Sequence, residues 1–204
     1  MYLTVHSALG LPGADERGWV DAVLAGLDPD QASLGALVAR SEGEARGHAV
    51  LLWDSADDAD RALAEAPPQA PDGVRLGAGT RYEVTDAGRP DDPGPARLVQ
   101  LVDFAGPRTP EWVTAFHRAG RERLWPATRD VPGLAAVLTG VAADGACVTL
   151  SLAESREALG AATQRIMSTT LLPGERPEFL TGPDRFEIQR VEHAVLPDHG
   201  WTLP

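Results

Sequence analysis

The chain has 204 residues, 43% of them hydrophobic and 24% charged, an ordinary globular composition with room for one large domain or two small ones sharing a core. Its net charge of −12 argues against nucleic acid and anionic membrane surfaces as partners, and no apolar run approaches the roughly 20 residues that span a bilayer. All 18 basic residues are arginine, asparagine is absent and Cys147 is the single cysteine, which rules out Schiff-base and P-loop lysine chemistry, N-glycosylation and an internal disulfide.

In chain order, YLTVHSAL (2–9) alternates as a strand, with no basic segment and apolar core of a secretory leader. A reducing cytoplasm is the expected setting. A helix follows over 15–27, where Trp19, Val20, Val23, Leu24 and Leu27 form one apolar stripe. ASLGALVAR (32–40) and GHAVLLW (47–53) read as a hairpin turning at SEGEAR. Ser55 can cap a second helix rich in first-turn acids, which PPQAPDG ends, and RLGAGTRYEV (75–84) closes the segment as one strand.

DAGRPDDPGPA (86–96) has the Pro, Gly and Asp content of a linker. Beyond it come a strand (97–104), a helix over 109–125 with Thr109 as cap and Pro110 at its first position, and a strand pair (133–141, 146–152) turning at AADG. A helix over 155–167, a strand over 184–195 and a trailing LPDHGWTLP complete the chain.

The order strand, helix, strand, strand, helix, strand therefore occurs twice. Trp19-Val20 matches Trp112-Val113, Leu34 matches Leu134, Ser55 matches Ser155, and RYEV (81–84) matches RFEI (185–188). The offset grows only at loops, as in a diverged tandem duplication. The expected organisation is a first repeat over 1–86, a linker over 87–96, a second repeat over 97–195 and a tail over 196–204.

A βαββαβ repeat is the ferredoxin-like unit, a four-stranded antiparallel sheet with both helices on one face. GHAVLLW, LGALVA and LAAVLTGV are apolar at nearly every position, so both faces of these strands need burial. The expected fold class is thus α+β, two tandem ferredoxin-like repeats packed sheet to sheet as an intramolecular α/β barrel. With LLWDS at a strand-to-helix junction (51–55) and Pro132-Gly133 before a strand, the chain resembles the dimeric α/β-barrel superfamily, within it the antibiotic-biosynthesis-monooxygenase-like domains.

That resemblance implies several activities: cofactor-independent oxygenation of aromatic polyketides, haem degradation, isomerisation or cyclisation, or none. The haem-degrading branch uses an asparagine, a tryptophan and a histidine. Trp53 stands at the right junction, but asparagine is absent and no histidine follows on the next helix. The anthrone-oxygenase branch also employs an asparagine, so another polar group would have to hold the substrate oxygen.

His6 and His48, on strands, are candidate bases, and with Trp53 they form the first-half set. On the 109–125 helix, Trp112, Phe116, Ala119 and Arg123 recur at i, i+4, i+7 and i+11, so Arg123 continues an aromatic stripe suited to gripping a phenolate, enolate or carboxylate. His117 lies at the stripe's edge, Arg121 is expected to be solvated, and Trp125 with the loop after it could roof a pocket. Cys147 reads as core, GAGTRY lacks the third glycine of a dinucleotide fingerprint, and no metal-ligand spacing is present. The expected function is oxidation of an aromatic or polyketide-like substrate without a bound cofactor, with a homo-oligomer as an option. The alternative is a non-catalytic α/β-barrel protein that binds a small ligand or a protein partner.

Overall fold

The computed structural model describes residues 1–11, 20, 33–64, 74–179 and 181–203. The helix expected over 15–27 lies outside the described residues except Val20, which is helical and packs with Ala8, Leu11, Val38, Ala49 and Val74. The described elements are β1 (Tyr2–Leu9), β2 (Ser33–Ser41), β3 (Arg46–Trp53), α1 (Ala56–Ala64), β4 (Arg75–Leu76), β5 (Thr80–Gly88) and β6 (Leu98–Phe104). They continue with α2 (Pro110–Ala119), a π-helical turn (Gly120–Leu124), α3 (Trp125–Thr128), β7 (Leu134–Val141), β8 (Cys147–Ala153), α4 (Arg156–Met167), a 3-10 turn (Pro177–Phe179) and β9 (Arg185–Val195). None of the described helices is long and apolar enough to cross a membrane.

Helix starts follow the capping chemistry written in the sequence. Ser55 Oγ accepts from Asp58 N at 3.1 Å, Thr109 Oγ1 from Trp112 N at 3.3 Å and Ser155 Oγ from Ala158 N at 3.2 Å. Each satisfies an N–H that the first turn leaves unpaired. The hairpin turns need left-handed backbone, supplied by Gly43 (φ 76) between β2 and β3 and Gly145 (φ 83) between β7 and β8.

The chain forms two compact units, Met1–Glu83 with Gln189–His199, and Val84–Ile188 with Gly200–Pro204. In the first, β3 pairs antiparallel with both β1 and β2, β5 adds to β1 through Thr80–Glu83, and β9 adds to β2 through Gln189–Val195. In the second, β8 pairs antiparallel with β6 and β7. Hydrogen bonding runs β3-β2-β9-β6-β8-β7-β5-β1 and returns to β3, with β4 beside β1. This α+β fold with a closed order of eight strands is the class expected from the sequence.

The core forms where the apolar strands predicted it. Leu3, Leu52, Leu138, Leu150 and Leu152 are essentially inaccessible, and full burial of each such side chain contributes roughly 1.5–3 kcal/mol.

Four local expectations change. The strand expected over 75–84 is broken at Gly77–Gly79: Gly77 N donates to Ser7 O at 2.8 Å, and Gly79 passes so close to the His6 ring that a Cβ there would overlap it. β5 continues to Gly88, into the residues expected to begin the linker. The trailing segment is pinned rather than loose, because Thr202 N and Leu203 N both donate to Ala87 O and Ala87 N donates to Thr202 Oγ1 at 2.9 Å. The helix expected over 109–125 is interrupted by the π turn, where Trp125 N bonds Gly120 O.

Candidate functional site

In the second unit, α2 lies across the sheet by the residues its sequence periodicity marked. Trp112 stacks on Phe116 with ring centroids 5.1 Å apart, and Phe104 of β6 meets both, at 5.5 and 5.1 Å. The Trp112 indole donates to Phe179 O at 3.2 Å, and the Arg108 guanidinium sits 4.8 Å from the Trp112 ring centre. Trp112 is buried, whereas Phe104 and Phe116 stay partly accessible.

His117, the next residue on α2, lies 6.1 Å from the Phe116 ring and turns to β5. Its Nδ1 is 2.7 Å from Asp86 Oδ2, and the same carboxylate takes Arg121 Nε on its other oxygen. Arg121 also donates to Thr85 O at 2.8 Å. Burial alone would push the Asp86 carboxyl up; the hydrogen bonds and charge of His117 and Arg121 outweigh it and hold the group below the usual carboxylate range. An ionised carboxylate can only accept, so His117 donates from Nδ1 and directs Nε2 elsewhere. With a side chain 18% exposed, His117 remains reachable, while that of Asp86, at 5%, does not. The arrangement is an imidazole oriented by a buried carboxylate beside aromatic rings.

Arg123 lies within the π turn rather than on α2. Its guanidinium instead reaches Glu175 at 3.0 Å and donates to Thr169 Oγ1 at 2.7 Å, with both charged side chains nearly buried. Arg121 is not simply solvated, since Asp86 and Thr85 hold it. Trp125 packs with Val131, Leu134 and Ala162 and borders a cleft of about 790 Å³ lined also by Arg89, Pro126, Arg129 and Glu154. The loop after Trp125 lines that cleft, but Phe104, Trp112, Phe116 and His117 are not among its walls.

The first-half set is not assembled. Strand alternation puts Trp53 and His48, five residues apart on β3, on opposite faces. Trp53 packs with Ala36, Leu51 and Ala59 and donates its indole N–H to Thr4 Oγ1 at 3.1 Å. His48 belongs to a buried chain in which Gln189 Nε2 lies 2.8 Å from His48 Nδ1 and donates to Ser41 Oγ at 3.2 Å. His6 is buried against Gly79 and its Nδ1 has no hydrogen-bond partner among the described residues. Burial pushes its imidazole below the ordinary value, only partly offset by a hydrogen bond with the Gly77 backbone. Cys147 is core as expected, its thiol pushed up to about 11 by burial.

Asp86 and Phe104 carry much of this site and were not singled out in the sequence. Asp86 is 31 residues from His117, inside a stretch whose composition reads as linker, so no local signal marks it.

No family model and no curated protein matches the chain. Solved structures do match its fold. A candidate monooxygenase from Fusobacterium nucleatum superposes with a TM-score of 0.65 at 11% identity, over 95% of this chain and 93% of that one. A ferredoxin-fold protein from Listeria monocytogenes, related to antibiotic biosynthesis monooxygenases, gives 0.51 at 10% identity over 95% of each. An anthrone oxidase-like protein gives 0.53 at 17% identity, over 97% and 94%. Coverage is nearly complete in both directions, so the likeness takes in both halves. At these identities it establishes the fold: the neighbours are monooxygenase-like proteins of ferredoxin fold.

Proposed function

We propose that the chain is a small-molecule oxygenase, resembling cofactor-independent monooxygenases, that oxidises an electron-rich aromatic or polyketide-like ring in the second unit, with His117 as base. The observation that carries the reading is the His117–Asp86 pair, a 2.7 Å contact that fixes the imidazole tautomer beside Phe116. His117 Nε2 takes a proton from an acidic ring C–H or O–H, and the carbanion gives one electron to O2. Recombination of the substrate radical with superoxide forms the C–O bond, and the peroxide regains a proton from His117. Loss of water then leaves a ketone, so the net change is R2CH2 + O2 → R2CO + H2O. Asp86 orients the imidazole and stabilises its cationic form, and the aromatic side chains position the ring.

Oxygen uptake with a panel of anthrones and hydroquinones tests this. His117→Ala is expected to lower uptake by about a hundredfold or more. Equal uptake by this variant, or none by the parent across the panel, refutes it. The mutual stacking of Trp112 and Phe116, with the indole N–H already bonded to Phe179, favours a second reading as a ligand-binding protein. Binding of the panel without uptake would select it. The repeated element order and ordered matches between halves further support descent by tandem duplication, with repeats at 1–86 and 97–195.

A further inference from the structure

We propose that Gln100 and Ser151, paired across β6 and β8 in the second unit, bind an oxygen atom of a flat ring system in a groove between sheet and helices. The ligand class rests on the oxygenase reading above; the site itself does not. Leu98 packs on Ala158 and Leu159 of α4, and Phe104 meets the rings of α2, so the alternating β6 residues 98, 100, 102 and 104 face the helices. Ala153 joins the same cluster, which places Ser151 and Thr149 on that face of β8. Register then sets Gln100 opposite Ser151, Val102 opposite Thr149, and Thr149 opposite Thr139, whose hydroxyls lie 3.3 Å apart.

A helix-covered sheet face is ordinarily apolar, because an unpaired polar group there loses its hydration. Here the side chains of Gln100 and Ser151 have no hydrogen-bond partner among the described residues, and both remain partly accessible, as do Val102, Thr149 and Phe116. The helix-facing side of the first unit's sheet is closed by contrast: Thr4 is buried and bonded to Trp53, and Ala49, Leu51 and Trp53 are buried. The helix-facing side of the second unit's sheet therefore keeps partly accessible side chains with unused hydrogen-bonding capacity. A primary amide offers an acceptor and two donors, and a hydroxyl offers both roles, which suits a ketone or phenol oxygen. No charged residue stands in these two rows, so a neutral oxygen fits better than a carboxylate or phosphate. The rings of Phe104 and Phe116 bound the same space and supply faces for an aromatic ligand.

The test is an anaerobic titration, read by tryptophan fluorescence, of anthrone and of 9,10-dihydroanthracene, which has the same ring frame but lacks the ketone. The parent protein is expected to bind anthrone about tenfold more tightly or better, since a hydrogen-bonding pocket rejects an isostere lacking its partner group. Gln100→Met with Ser151→Ala should remove that preference while dihydroanthracene binding holds within about threefold, which also reports an intact fold. Equal affinities in the parent, no binding of either compound, or a preference that survives the double variant each overturns the proposal. If the preference is present but no anthrone is oxidised in air, the oxygenase reading falls and the groove stands.

Discussion

Replacing Asp86 by asparagine separates orientation of His117 from mere packing around it. The change preserves shape and removes one charge at a side chain that is 5% exposed. Asp86 accepts one bond from His117 and one from Arg121. The His117 bond is largely shielded and charge-assisted, worth about 1.5–3 kcal/mol. The Arg121 bond is discounted to about 0.5 kcal/mol, because that side chain is 54% exposed. Asparagine keeps one acceptor oxygen, so the net loss is about 2 kcal/mol, or about 4–8 °C in melting temperature for a chain of this size. The kinetic effect should be larger. An amide can present its N–H groups to Nδ1, which moves the imidazole proton to Nε2 and removes the base, and a fall in kcat/KM of about a hundred- to ten-thousandfold follows. The assays are oxygen uptake and thermal melting of Asp86→Asn beside the parent protein. The variant should also lose an acid-dependent component. The folded-state Asp86 carboxyl lies below its ordinary value, so its contribution is present above about pH 4 and disappears as pH falls through the folded-state value. A variant with turnover within threefold of the parent would refute the orienting role, whatever its stability.

Three further outcomes are expected. Arg123→Leu should lower the melting temperature, since it leaves Glu175 nearly buried without its cation, yet leave kcat within about twofold; a selective loss of turnover would return Arg123 to the chemistry. Gly88→Ala should destabilise by about 1–3 kcal/mol in denaturant titration, because its Cβ would come within 2.7 Å of the Trp125 ring, and a neutral effect would mean the ring has room to move. His6 is held neutral in the folded chain, so its contribution is complete above about pH 6.5 and falls away as pH drops below that value. His6→Leu should flatten the change in stability between pH 7 and pH 5, and an unchanged slope would show that another group is responsible.

Strand positions were legible because few backbone conformations besides the extended one produce two-residue alternation or short continuous apolar runs, as at β1 and β3. Caps were legible because Ser55 and Thr109 stand where orphan N–H groups need acceptors. Trp112, Phe116 and His117 were found from helical spacing on a single element. Arg123 was marked by the same spacing, which could not show its ion pair with Glu175, 52 residues away. Asp86 was hidden for a different reason. Its importance comes from which helix passes over it, and tertiary placement leaves no trace in a Pro, Gly and Asp composition. Gln100 and Ser151 acquire meaning only from cross-strand register, which no single strand encodes.

The sharing of β9 between the units bears on how the chain is made. On the ribosome, β2 emerges well before β9, yet its Ala36–Ser41 edge has to wait for Gln189–Val195. Until then the nascent first half displays bare amides and carbonyls along an apolar ribbon, the kind of template that recruits stray strands. The first half therefore stays unfinished until β9 is made, and a product stalled or truncated before it should be a sticky one.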